Sequence, residues 1–583
     1  MKYIICDTEV YAYDWIIDFR AIGQDKHYTI HNDYDKVKYF FDTHKDDVFV
    51  TFNGKHYDNY IIKAMLNKAS PDIIKDINDF IIGGKEGYQH PYVKYCNYKF
   101  NYCDLMDDMQ VGLSLKSIEA HLGMDIEETE VDFNLHRQLT EKEIEQTIKY
   151  CRYDVDATCK VFELRQGYLD NKIMVGQMAG LTPQEALMLT NAKLTAEYLK
   201  ASPVKYDDER NYEYPENLKK QYIPNRVFEF FDRLHDKYLS DDEVFKTQYK
   251  GQIGNCSYTL GFGGIHGDCG NCIIEEDENK VIVNEDVGSY YPHLITVNGY
   301  VSRAMSNAKE YAEMLEQRMK AKASGDKVTA NALKLVCNST YGAFGDKYNK
   351  LYDPLMMRSV CISGQLYLLE LANHIYEETH CDFIQLNTDG LMFAIDRDKF
   401  PIAESICKEW EQRGYSLEKD DISKIIQKDV NNYIEVKNDG SFKCKGGYLV
   451  RGVSPAGAFN INNNAVIIAD AIKEYFINGK SPEQVILSCN DIFKFQLIAK
   501  ASGKYKQVLH NGKEVQRCNR VYASPFISNG TLYKIHNNGN IAKIAGLPEH
   551  CVVDNSNELS IEDIDKRWYI QSAYSKIQDF LGR

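Results

Sequence analysis

Short apolar, β-branched runs alternate with longer stretches of helical periodicity along this chain, and several of the runs lead into a turn that carries a carboxylate. Residues 3–10 read as a strand bearing Asp7 and Glu9, and Val48-Phe49-Val50-Thr51-Phe52 reads as another. The second runs into Asn53-Gly54-Lys55-His56-Tyr57-Asp58, where Gly54 allows a turn and Asp58 opens a helix over 59–66. A helix over 141–164 follows, then a polar, helical stretch to about residue 250. The glycine-rich run 258–267 predicts a hairpin or a close backbone approach. Val281-Ile282-Val283 reads as a buried strand that delivers Asp286 to its end before the chain turns through Gly288 to Pro292. Residues 303–345 read as two helices broken at Ser324-Gly325-Asp326, and 385–396 as a hairpin with Asn387-Thr388-Asp389-Gly390 at its turn. An amphipathic helix over 564–581 buries Trp568-Tyr569-Ile570.

The acidic positions carry the first chemical hints. The two-residue period of a strand puts Asp7 and Glu9 on one face, where they repel unless a cation or proton lies between them. Tyr150 and Asp154, four apart, share a helix face, which by itself describes a surface hydrogen-bonding pair equally well. A lone carboxylate such as Asp286 at a strand end more often caps a turn.

Three stretches in order change that reading. Asp286-Val287-Gly288-Ser289-Tyr290-Tyr291-Pro292, the Lys334–Gly342 segment with Asn338-Ser339-Thr340-Tyr341-Gly342, and the Thr388-Asp389 turn resemble the polymerase motifs of family B DNA polymerases. Upstream, Asp7-x-Glu9, Asn53 with Tyr57-Asp58, and Tyr150 with Asp154 are similar to the three motifs of that family's 3′→5′ proofreading exonuclease. The resemblance spans nearly the whole chain. It implies a multidomain protein of α/β and α+β class, an RNase-H-like exonuclease followed by a right-handed polymerase. The expected parts are an exonuclease over 1–165, a helical connection over 166–250, palm over 251–302 and 346–453, fingers over 303–345 and thumb over 454–583.

The same resemblance implies the site residues. Asp7, Glu9, Asp58 and Asp154 would hold the exonuclease metals, with Tyr150 positioning water. Asp286, Asp389 and the carbonyl of Val287 would hold the polymerase metals, two Mg²⁺ (or Mn²⁺) per site. Tyr291 would exclude a ribose 2′-hydroxyl, Arg318, Lys322, Lys334 and Asn338 would meet the dNTP, and Tyr341 would line the new base pair. Asn53, Gly263, Gly264 and Lys445 would contact DNA. The residue types suit this work, because hard cations prefer oxygen ligands and a triphosphate prefers converging cations. The chain departs from the family at Asn387, which replaces an acid, and at Gly390, which replaces a serine.

Bulk properties limit the partners. A net charge of −16 argues against nonspecific coating of DNA, yet residues 494–543 hold nine Lys/Arg against one acid, Glu514. Lys500, Lys504, Lys506, Arg517 and Arg520 could form a phosphate-tracking surface or simply a solvated face. The 16 cysteines are scattered as in a reduced cytoplasmic enzyme, and Cys269 and Cys272, with His266 nearby, lack the four ligands of a zinc site. No apolar run approaches the ~20 residues of a membrane span, and no signal peptide opens the sequence. The expectation is a monomeric, bacteriophage-like replicative DNA polymerase acting on primer–template DNA beside a helicase or single-strand-binding protein. Its alternatives are an exonuclease whose polymerase half only holds DNA, and a noncatalytic DNA-binding protein.

Overall fold

The computed structural model describes residues 1–236, 238–454 and 460–583. They form a mixed α/β structure that divides into two compact units, one made of residues 1–191, 452–465 and 490–565, the other of 192–451, 466–489 and 566–583. No helix among the described residues is long and apolar enough to cross a membrane.

The first unit is built on strands β1 (Tyr3–Val10), β2 (Trp15–Ala21), β3 (His27–His31), β4 (Val48–Thr51) and β5 (Asn101–Asp104), in the order β3-β2-β1-β4-β5. The first three are antiparallel neighbours; β4 and β5 run parallel to β1. Both faces of β1 are covered. Ile4 and Cys6 join the helix Asp58–Leu66 in one core, whereas Ile5 joins Val155 and Phe162 of the helix Glu141–Met178 in another. The alternation of the strand therefore aims Asp7 and Glu9 along the Ile5 face, toward the long helix. That helix starts in a capping box, Thr140 accepting from the Glu143 amide and Glu143 answering at the Thr140 amide. It runs to Met178 with buried residues as late as Gly176, so a boundary at 165 falls inside it.

Residues 454–583, expected to form one thumb, are shared between the units, and 455–459 lie outside the described residues. The part in the first unit folds as a three-stranded sheet (Leu497–Lys500, Cys518–Ala523, Cys551–Val553) and a four-stranded one (Lys513–Val515, Tyr505–His510, Leu532–His536, Ile541–Lys543). Ile498 and Cys518 pack on Ala120 and Ile126, and the buried Arg520 donates to the carbonyls of Ala120 (3.1 Å) and Met124 (2.7 Å). Leaving those donors unmet out of water would cost more than an exposed cation gains at the surface. Arg520 is thus structural.

The second unit holds a ten-stranded sheet: β6 (Tyr249–Ile253), β7 (Cys256–Leu260), β8 (His266–Asp268), β9 (Cys272–Glu275), β10 (Lys280–Val287), β11 (Asp382–Asn387), β12 (Gly390–Asp396), β13 (Leu417–Asp429), β14 (Asn432–Lys437) and β15 (Phe442–Lys445). The order is β15-β14-β13-β10-β12-β11-β8-β7-β6, with β9 paired to β13 off that path. The helices Lys309–Ser324 and Lys327–Gly345 are separated at Gly325, whose φ of +79° is the left-handed turn that glycine takes without strain. The helix Pro354–Thr379 is buried along most of its length and capped by Asp353, which also receives Arg303. The C-terminal helix is Lys566–Leu581; it buries Tyr569, while Trp568 and Ile570 are half-buried.

Candidate active sites

Among the described residues, carboxylates converge in each of the two units. In the first, ligand oxygens of Asp7, Glu9 and Asp154 all lie within 4.8 Å of one another. Lys116, on the short helix Leu115–His121, donates to Asp154 at 2.5 Å and to Glu119 at 3.2 Å, and its ammonium stands 4.8 Å from the centre of the Tyr150 ring. Asp58 is buried but outside the triad, its Oδ1 accepting from the Thr8 hydroxyl at 2.6 Å. Asp104 ends β5 and accepts the amides of Asn53 (2.8 Å), Lys55 (2.9 Å) and Met106 (2.9 Å), which pins the loop ahead of Asp58. Asn53 itself takes a left-handed φ of 68° there. A Cβ on Gly54 would stand 2.1 Å from Thr51 Oγ1, so only glycine fits that bend.

Burial raises the carboxyls of Asp7, Glu9 and Asp154, and the neighbouring acids add to this for Asp7 and Glu9. Burial likewise lifts Asp58, to about 7. Burial works against charge on Lys116, but Asp154 and Glu119 hold it above the ordinary range. Burial and then Asp154 raise the Tyr150 phenol, so it stays protonated. Hard oxygen donors, mutual repulsion and a single internal cation fit a divalent metal ion. Asp7, Glu9, Asp154 and Tyr150 are thus brought together, and Asp58 is close enough for its charge to act on Asp7 and Glu9. Lys116 falls in Ser114-Leu115-Lys116-Ser117-Ile118, which fits the exonuclease resemblance but gives the lysine no role, and Glu119 lies just beyond it.

In the second unit Asp286 stands near the end of β10 and Asp389 in the β11–β12 turn. The amide of Val287 donates to the carbonyl of Asp389 at 2.6 Å, which ties the two segments together. Asp286 pairs directly with Gly390 across the ladder. A Cβ at Gly390 would lie 2.1 Å from Asp286 Oδ1, so the glycine makes room for the carboxylate and is not an incidental departure. Asn387 Oδ1 accepts the Thr388 amide at 2.9 Å, a turn contact that an aspartate oxygen would make equally well. Gly264 is crowded by Thr388, whose Oγ1 would be 2.2 Å from a Cβ, and the Gly263 amide meets Cys361 Sγ at 3.2 Å. Gly264 therefore serves close packing, whereas a Cβ on Gly263 would meet open space.

A cavity of about 190 Å³ lies over Asp286 and Asp389 and is also lined by Asn387, Glu435, Lys443 and Lys445. Lys443 and Lys445 share a face of β15 by the strand period, and Lys443 pairs with the buried Glu435 at 3.5 Å. Burial and then Asp389 raise the Asp286 carboxyl; burial raises Glu435 against the pull of Lys443. Lys443 lies in the 442–448 stretch that resembles the family's lysine motif for the primer terminus, where Lys445 is the expected contact; Glu435 is marked by no motif.

The remaining expected residues gather on the helices. Tyr291 stacks on Tyr341 with centroids 4.7 Å apart and planes at 11°. Arg318 donates to Ser289 Oγ at 2.7 Å and Lys322 to Glu418 at 3.2 Å. Lys334 and Asn338 are exposed on the Tyr341 face of their helix. In the basic segment, Lys500 donates to the Gly112 carbonyl at 2.7 Å and Arg517 to that of Tyr505 at 2.9 Å; Lys504 and Lys506 are exposed. Among the described residues, Cys269, Cys272 and His266 do not converge as a metal-binding group.

No protein-family model and no curated protein matches this sequence. Among solved structures, the family B DNA polymerase from the hyperthermophilic archaeon Pyrobaculum calidifontis aligns with a TM-score of 0.40 at 12% identity, over 100% of this chain and 78% of that one. A likeness of that size decides neither fold nor activity.

The raised Asp58 carboxyl gives a test. Its folded value of about 7 exceeds the ordinary ~3.9, so the metal-free native state binds the extra proton and loses stability as pH rises from about 4 through 7. Asp58→Asn should therefore be more stable than the parent at pH 8 in EDTA, as a higher melting temperature shows. The gain should vanish near pH 4. A variant that melts lower at pH 8 would contradict this electrostatic picture.

Proposed function

We propose that the chain is a template-directed DNA polymerase of family B type that extends primer 3′ ends with deoxynucleotides and removes misplaced ones by 3′→5′ hydrolysis. The observation that carries the reading is a pair of carboxylate sites in separate units, of which the second stands in the same unit as a helix pair bearing Arg318, Lys322 and Lys334. The strand order β3-β2-β1-β4-β5 supports an RNase-H-like nuclease, and β10–β15 with the helices Lys309–Ser324 and Lys327–Gly345 support a palm and fingers.

Mg²⁺ or Mn²⁺ held by Asp7, Glu9, Asp154 and Asp58, and by Asp286, Asp389 and the Val287 carbonyl, would activate an oxygen nucleophile and offset phosphate charge. The protein groups supply the rest. Lys116 fixes the Asp154 carboxylate, and Tyr150, protonated, offers a donor to water at the scissile phosphate. Arg318, Lys322 and Lys334 bring positive charge to a triphosphate, with Asn338 beside them. The stacked Tyr291–Tyr341 pair presents a rigid aromatic wall to the sugar and base. Lys443 and Lys445 face the site as phosphate contacts for the primer terminus, and Lys504 and Lys506 offer charge to the strand. The partner is primer–template DNA, with a helicase or single-strand-binding protein in a bacteriophage-infected cytoplasm.

Because the sites lie in different units, Asp286→Ala or Asp389→Ala should lower incorporation by about 10³-fold or more while leaving degradation of a labelled primer intact. Loss of both activities in a folded variant would refute separate sites. The second reading, a nuclease with a DNA-holding polymerase half, rests on Asn387. Since its oxygen already makes the turn contact, the parent should add nucleotides with Mg²⁺; incorporation by Asn387→Asp alone would favour the second reading.

Spacing adds a further expectation. The interval 293–333 is filled by the helices Tyr290–Val297 and Lys309–Ser324 and the start of Lys327–Gly345, and 343–386 by the end of that helix, Pro354–Thr379 and β11. Neither has room for an inserted element that seats a priming protein or wraps downstream DNA. Extension should run across a gap from an ordinary nucleic-acid primer and stall at a blocking oligonucleotide. Unaided copying through long duplex, or initiation on a protein hydroxyl, would overturn that inference.

A further inference from the structure

Two cations of the helix Lys309–Ser324 are already engaged by residues that flank Asp286. Arg318 reaches Ser289 Oγ at 2.7 Å, and Lys322, one turn on, reaches Glu418 Oε1 at 3.2 Å. Ser289 sits in the left-handed region at φ 51°, directly before the helix Tyr290–Val297. Arg318 Nε is buried with no hydrogen-bond partner among the described residues, so this guanidinium retains unmet donor capacity. Glu418 is the direct cross-strand partner of Asp286 in the β10–β13 ladder, and side chains so paired share a face. Its carboxylate passes over Gly288, where a Cβ would lie 3.0 Å from Glu418 Oε1, so the missing side chain leaves it room. The Lys322 and Glu418 side chains are 58% and 59% exposed, open to a competing anion.

We propose that Glu418 is a latch, an internal anion that holds Lys322 against the sheet until the triphosphate of an incoming nucleotide takes the same cation. The proposal rests on the reading that Arg318, Lys322 and Lys334 receive a triphosphate. A triphosphate offers more charge and more acceptor oxygens than one carboxylate, so it displaces Glu418. Its apparent affinity is reduced only by the fraction of molecules whose latch is closed. Glu418 is in this sense a positioning residue: it sets where Lys322 waits and takes no part in bond making.

The test compares the full-length parent with Glu418→Gln in two binding titrations. One uses Mg²⁺–dATP on a dideoxy-terminated primer–template, the other inorganic tripolyphosphate on the protein alone. The latch requires Glu418→Gln to bind both about two- to fivefold more tightly, the scale of an exposed ion pair. The gain should shrink as salt rises and disappear in a Lys322→Gln background. Unchanged or weaker binding by Glu418→Gln overturns the latch. So does weaker binding with a raised Mg²⁺ requirement, which would make Glu418 a metal ligand. Tighter tripolyphosphate binding by a chain that incorporates no nucleotide would keep the latch and remove the polymerase reading.

Discussion

Carboxylates gathered out of water lose hydration and repel one another, and the layout of the first unit answers that constraint. Alternation along β1 divides its residues, Ile4 and Cys6 to one core and Ile5 to the other, and Asp7 and Glu9 must follow Ile5. The long helix on that face then adds a third acid, Asp154, where apolar neighbours such as Val155 exclude solvent. Lys116 supplies one positive charge against five acids, counting Asp58 and Glu119. The arrangement is therefore short of positive charge, and its raised carboxyls express the deficit. That deficit is what the proposed divalent cations would offset.

The second unit meets the same constraint with less burial and more lysine. Asp286 and Asp389 face a cavity that also admits Lys443 and Lys445, and Glu435 has its own counter-charge there. Backbone geometry does as much as charge. Gly390 clears space for the Asp286 carboxylate, Gly288 for Glu418, and Gly264 lets the β7–β8 connection approach Thr388. A side chain at any of these positions would have to displace a group that faces the site.

Much of this was legible in the sequence because it is local. The strand over 3–10 is found with those bounds, the helix break at Gly325 lies where its turn residues put it, and the hairpin around Thr388-Asp389 forms as its apolar flanks predict. The two-residue period alone placed Asp7 and Glu9 on one face. What escaped is long-range. Arg520 is bonded to carbonyls about 400 residues away, so a stretch that looked like a basic surface is partly an internal clamp. The division of 454–583 between units has the same origin, since packing partners distant in sequence leave no periodic trace. The pairings of Lys116 with Asp154 and of Lys443 with Glu435 likewise depend on strands and helices that meet in space.

On the function proposed above, one chain carries two independent phosphoryl-transfer sites. Incubating the purified protein with a 5′-labelled primer–template and Mg²⁺, with and without the four dNTPs, tests it most directly. Two such sites require stepwise shortening of the primer without dNTPs and template-length extension with them, and neither change in EDTA. A primer that shortens in both conditions, or stays intact in both, would contradict the two-site reading.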